Sequence, residues 1–252
     1  MPMLDRNGVR IHYEVHGAGP PVLLSHGYSA TCRMWDGQIA ALKDRWQVIV
    51  WDMRGHGESD YPADPQAYSE TLTVEDMAAI LRACGASRAV IAGLSLGGYM
   101  SLAFHATHPD MTRALMLFDT GPGFKNDQAR QSWNETAQQR AANLETKGLA
   151  ALGSSEEVRT SRHRSADGLA RAARGMLAQA DDRVIRSLER IAVPTLVLVG
   201  ADDKNFLAAT DYMATKIRGA SKVVVPGAGH AANLHQPEAF NRAVTAFLTA
   251  LP

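Results

Sequence analysis

The chain has 252 residues, enough for one α/β domain or for such a core carrying a modest insertion. Its 26 basic and 26 acidic residues cancel, which excludes the basic footprint of a nucleic-acid binder. Two cysteines, Cys32 and Cys84, cannot build a disulfide framework, and no apolar run approaches the ~20 residues a membrane helix needs. The polar start, Met1 to Gly8, lacks the apolar stretch of a signal peptide, so a soluble, cytoplasmic protein without a membrane partner is expected.

In chain order, the first periodic segment is Val9 to Val15, where Val9, Ile11, Tyr13 and Val15 alternate as in an antiparallel edge strand with one wet face. Short, wholly apolar runs follow at Val22–Leu24, Val48–Trp51, Ala89–Ala92, Ala114–Phe118, Thr195–Val199 and Val223–Val225. Apolarity without alternation predicts strands buried on both faces, as in a parallel sheet. Helical periodicity fills the gaps. Thr73 reads as an N-cap with Asp76 at the third helical position and Leu72 and Met77 as a hydrophobic staple; Gly85 can end that helix. Pro237 opens the last helix, with Phe240, Val244, Phe247 and Leu248 as its buried stripe. Strand and helix in alternation predict a doubly wound, mostly parallel sheet. The alternation breaks between residues 121 and 188, which are rich in Ala, Arg, Gln and Glu and read as amphipathic helices. The expected organisation is therefore an α/β core of residues 1–120 and 189–252 with a small helical cap at 121–188, above the strand ends where open sheets bind ligands.

The sharpest chemical signal is Gly93-Leu94-Ser95-Leu96-Gly97-Gly98, a G-x-S-x-G between a strand and a helix. That context makes it a nucleophile elbow: a strained turn lifts the Ser95 hydroxyl above the sheet and points the Leu96 N–H at a substrate oxyanion. A phosphate-binding turn is disfavoured because neither G-x-G-x-x-G nor G-x-x-x-x-G-K occurs. A serine needs a base, and His230, set in Gly227-Ala228-Gly229-His230 after the last strand, can return over the sheet edge. His12, His16, His105, His108, His163 and His235 have no such setting and read as surface or structural. The imidazole needs a carboxylate, and Asp202, Asp203 and Asp119 all follow strands. His26-Gly27-Tyr28 follows an earlier strand and offers the Tyr28 N–H as second oxyanion donor. No histidine–carboxylate set has zincin spacing, so His56 reads as a loop residue and neither metal nor organic cofactor is expected. Phe124, Trp133 and Leu144 are apolar cap residues that either line a substrate pocket or pack the cap on the core.

Together these segments resemble the α/β-hydrolase superfamily over the whole chain outside the helical insertion. The order nucleophile, acid, histidine matches Ser95, Asp203 and His230; H-G-x matches His26-Gly27-Tyr28, and D-x-R-G-x-G-x-S matches Asp52 to Ser59. The resemblance places the acid in a G-x-x-D, which selects Asp203 over Asp202. It is nearest to single-cap serine esterases and enol-lactonases, and a serine nucleophile argues against haloalkane dehalogenases and epoxide hydrolases. The implied function is hydrolysis of small carboxylic esters through an acyl-enzyme, with a lactone or C–C bond substrate as the alternative. A ligand receptor on the same fold, with an intact or a decayed triad, is the reading outside catalysis; the complete triad disfavours a decayed one, and slow turnover beside tight ligand binding would support the receptor.

Overall fold

A computed structural model describes residues 2–252. Eight strands form one sheet: β1 (Met3–Arg6), β2 (Val9–His16), β3 (Pro21–Ser25), β4 (Gln47–Trp51), β5 (Ala89–Leu94), β6 (Thr112–Phe118), β7 (Thr195–Gly200) and β8 (Ser221–Val225). Their order across the sheet is β1-β2-β4-β3-β5-β6-β7-β8. From β4 onward all neighbours are parallel, while β1 and β2 are antiparallel to theirs. Helices α1 (Asp36–Leu42), α2 (Glu70–Ala83) and α3 (Leu96–Thr107) belong to the first part of the core. Between β6 and β7 lie α4 (Asp127–Lys147), α5 (Glu156–Arg159), α6 (Ala166–Ala172) and α7 (Arg183–Ser187), with no strand. The chain closes with α8 (Leu207–Lys216), α9 (Ala232–His235) and α10 (Pro237–Thr249). This is the α/β-hydrolase fold. No helix among the described residues is long and apolar enough to cross a membrane.

The apolar strands separate two buried layers. Leu23, Ile49, Ile91, Leu115 and Val197 face α2, α3 and the inter-strand helices, whereas Val22, Val48, Val90, Ala114 and Leu196 face the layer holding Trp35, Phe118 and Phe240. Burial at alternate positions on both faces is what a strand covered by helices on each side requires. Phe240, Val244 and Leu248 are the buried stripe of α10, with Phe247 partly buried beside them.

Three local expectations change. The edge of the sheet is β1, which lies in the stretch read as a polar terminus, so β2 sits inside it and buries His12 and Glu14 as well as Ile11. Those polar groups are accommodated because His12 Nδ1 contacts Asp52 Oδ2 at 3.0 Å and Glu14 pairs with Arg33. At the other margin β8 is an edge strand, and Val224 is 40 % exposed rather than enclosed on both faces. Finally, α2 begins a turn before Thr73: Ser69 is its N-cap, its hydroxyl accepting from Leu72 N at 3.1 Å. Asp76 is thereby mid-helix and fully buried, where Arg54 grips it through two bonds of 2.6 and 2.9 Å. A bidentate, desolvated pair of this kind outweighs a cap that a neighbouring serine supplies equally well. Gly85 does end the helix, with φ +70° and the paired bonds Ala86 N to Leu81 O and Gly85 N to Arg82 O.

Candidate functional site

Ser95 sits at the end of β5 with φ 55° and ψ −115°, a conformation an L-residue adopts only under constraint. The constraint is visible. Ser95 N–H donates to Phe118 O at 2.9 Å, and its carbonyl accepts from Tyr99 N and from the Thr120 hydroxyl at 2.6 Å. Glycines permit the turn to close: a Cβ on Gly93 would meet the Gly97 carbonyl at 2.3 Å, and one on Gly97 would meet Ser25 O at 2.1 Å. Leu96 is the first residue of α3, so its N–H is one of the unpaired donors of a first helical turn.

Beside the elbow runs the loop after β3. A Cβ on Gly27 would lie 3.5 Å from Ser95 Cβ, so this loop passes against Ser95. Its shape is held by three histidines, each serving the backbone. His26 Nδ1–H donates to Gly27 O at 2.7 Å and its Nε2 accepts from Met53 N at 2.9 Å. His56 Nδ1–H donates to Arg54 O, and its Nε2 accepts from Ser29 N at 3.3 Å. His163, from the cap, donates through Nε2 to Ser29 O at 2.9 Å and accepts from Gly57 N at 3.3 Å. Ser29, at φ +63°, is thus clamped on both its N–H and its C=O. Each imidazole needs one bare nitrogen for this role, and burial lowers all three pKa values in keeping with the neutral form. His56 is a loop-shaping residue, and so is His163. The Tyr28 hydroxyl adds a further tie, donating to Leu169 O of α6 at 2.8 Å.

Asp203, after β7, and His230, after β8, meet side chain to side chain. His230 Nδ1–H donates to Asp203 Oδ2 at 2.7 Å, with the histidine side chain 37 % exposed and the aspartate 4 %. That bond fixes the tautomer and leaves Nε2 free to accept a proton. The loop that delivers His230 lies tight on the β7 turn, since a Cβ on Gly200 would meet the carbonyls of Ala228 and Gly229 at 2.3 Å. Burial alone would lower the His230 pKa. The hydrogen bond and charge of Asp203, with the charges of Asp119 and Glu157, outweigh it and hold the imidazole above its ordinary value.

The other two carboxylates are placed differently. Asp202 is exposed, its backbone N–H bound to Ala228 O. Asp119 is fully buried at the end of β6 with φ +45°; one oxygen accepts from Gly200 N at 2.8 Å and the other has no hydrogen-bond partner. Burial pushes its pKa up to about 7, against the opposing pull of the Gly200 N–H and of His230.

Of the apolar cap residues, Phe124 and Trp133 are partly exposed, with ring centroids 6.1 Å apart, and Trp133 Nε1 donates to Leu177 O at 2.8 Å. Leu144 is 2 % exposed and belongs to the buried layer, so its side chain packs the cap. Residues without a sequence signal also meet here. The Phe206 ring stacks on His230, with centroids 5.1 Å apart and planes 21° apart. Residues of the insertion between β6 and β7 reach three parts of the core: Glu156 approaches His235 of α9 at 3.6 Å, the Thr31 hydroxyl after β3 donates to Ser161 Oγ at 3.5 Å, and Arg164 donates to Glu58 O and Ser59 O after β4.

A serine on a strained strand-to-helix turn, at the parallel end of a sheet carrying a histidine–aspartate pair on later loops, is the build of an α/β hydrolase. The sequence profile of the alpha/beta hydrolase family matches residues 22–243, and the chain belongs to that family. It is 30 % identical to 3-oxoadipate enol-lactonase 2 of Acinetobacter baylyi, over 97 % of this chain and 95 % of that one. It is also 30 % identical to a Bacillus subtilis protein named provisionally as 2-succinyl-6-hydroxy-2,4-cyclohexadiene-1-carboxylate synthase, over 97 % of each. A thermophilic esterase from Thermogutta terrifontis, solved with malate bound, superposes with a TM-score of 0.85 at 28 % identity, covering 99 % of this chain and 97 % of that one.

Proposed function

We propose that the protein hydrolyses small, uncharged carboxylic esters through a covalent acyl-enzyme. The observation that carries this reading is the 2.7 Å bond from His230 to Asp203, formed at the same end of the sheet as the strained Ser95 elbow. His230 Nε2 takes the Ser95 proton as Oγ attacks the ester carbonyl, and Asp203 supports the imidazolium that forms. The N–H groups of Tyr28 and Leu96 receive the developing oxyanion, from a loop whose backbone the three histidines immobilise before substrate arrives. The imidazolium then protonates the leaving alcohol, and a water activated by the same nitrogen releases the acid. No step calls for a metal or organic cofactor.

An enol-lactonase is the second reading, favoured by the likeness to the Acinetobacter baylyi protein over nearly the whole chain. Charge separates the two. The chain carries no net charge to steer an ionic substrate, and this favours neutral substrates over ones carrying a carboxylate. The test is a panel of aryl esters of graded acyl length beside neutral and carboxylated lactones. The highest kcat/KM is expected on neutral esters of short to medium acyl chain. Faster turnover of a carboxylated lactone than of every ester would replace the esterase reading with the lactonase one.

A further inference from the structure

We propose that Phe206 is a positioning residue for His230, holding the imidazole by its face while Asp203 holds it by its edge; this rests on the catalytic reading of His230 above. The two grips come from one turn. Asp203 O accepts from Phe206 N at 3.0 Å and from Leu207 N at 3.2 Å, so the chain curls directly from the carboxylate to the aromatic ring at the start of α8. A centroid separation of 5.1 Å with planes 21° apart is a stacked contact, inside the ~4.5–7 Å range in which aromatic pairs attract and within ~6 Å for a cation over a ring. The ring also has a neighbour after β6: a Cβ on Gly121 would be 3.7 Å from Phe206 Cδ1 and Cε1, an ordinary van der Waals contact, so this stretch of backbone runs beside the phenyl ring.

This geometry acts on the reaction because the imidazole becomes a cation only after taking the serine proton. The negative π face favours that cation over the neutral ring, so the stack is stronger in the transition state than in the resting enzyme. It also restrains the swing of a side chain that is 37 % exposed and is held at Nδ1 by a single hydrogen bond. Charged groups facing His230 from the other elements are Asp203 after β7, Asp119 after β6 and Glu157 on α5, and all three remain when Phe206 is replaced.

The test compares Phe206→Leu, which keeps apolar bulk but removes the π face, with Phe206→Tyr, which keeps the face. Steady-state kinetics on an aryl ester across pH are combined with an NMR titration of the His230 ring, and His230→Ala serves as reference. In the Leu variant kcat should fall roughly 3- to 30-fold with KM little changed, and both the acid limb and the NMR midpoint should move down by about half a unit to one unit. The Tyr variant should restore both. Unchanged kcat and midpoint in the Leu variant, or a Tyr variant as impaired as the Leu one, would overturn the proposal while His230→Ala remains inactive. An active His230→Ala would instead overturn the catalytic reading, and the role of Phe206 with it.

Discussion

Replacing Asp203 by Asn removes a charge and nothing else of note in size. The wild-type carboxylate is nearly inaccessible, and its Oδ2 accepts the Nδ1 proton of His230 at 2.7 Å. An amide in that place can turn its NH2 toward Nδ1, which moves the ring proton to Nε2 and leaves no lone pair to receive the Ser95 proton. The imidazolium also loses its nearest counter-charge. For a buried acid with both duties, the loss is on the order of 10⁴ in kcat, or about 5 kcal/mol of transition-state stabilisation. The assay is kcat on an aryl ester for Asp203→Asn, Asp202→Asn and Asp119→Asn, each checked by circular dichroism for normal folding. The Asp202 variant should match wild type, because that side chain is exposed. The Asp119 variant should lose less than about tenfold, since its bonded oxygen serves Gly200 N and not the imidazole. A crippled Asp119→Asn beside an active Asp203→Asn would refute the assignment and put the acid after β6.

Asp119 should also tune stability with pH. Its pKa rises from 3.8 to about 7 on folding, so its contribution is fully present below 3.8 and is lost as pH climbs through 7. Thermal melts should therefore show Asp119→Asn gaining on wild type between pH 5 and pH 8, and a constant difference would contradict this. The raised pKa of His230 sets the acid limb of kcat/KM above 6.5, because only the neutral ring can act as base. A pH profile with its midpoint below 6.5 would show that another group limits the rate. Gly97→Ala would push a Cβ to 2.1 Å from Ser25 O, and the forced shift should cost about 1–3 kcal/mol. An unchanged urea midpoint would mean the elbow is looser than the contact implies.

Local patterns carried much of this in the sequence. The apolar runs place six of the eight strands, and Gly93 to Gly97 between a strand and a helix mark the elbow, because tight backbone approach there admits only glycine. What was not legible depends on partners remote in the chain. Asp76 looks like a helix-cap residue until Arg54, 22 positions away, is seen to claim it. Whether His163 is a surface or a structural residue is decided only when its ring reaches Ser29, 134 positions away. Phe206 follows Asp203 closely, yet only the β7 turn shows that both meet one imidazole. β1 lacks an apolar run because its burial pattern alternates at the edge of the sheet.

The central claim is that Ser95 attacks the carbonyl and carries the acyl group. Mass spectrometry of the protein after treatment with an aryl sulfonyl fluoride addresses it directly. One adduct is expected, on the peptide containing Ser95, forming in step with loss of ester hydrolysis and absent from His230→Ala. An adduct on another residue, or complete labelling of Ser95 with turnover intact, would contradict the account.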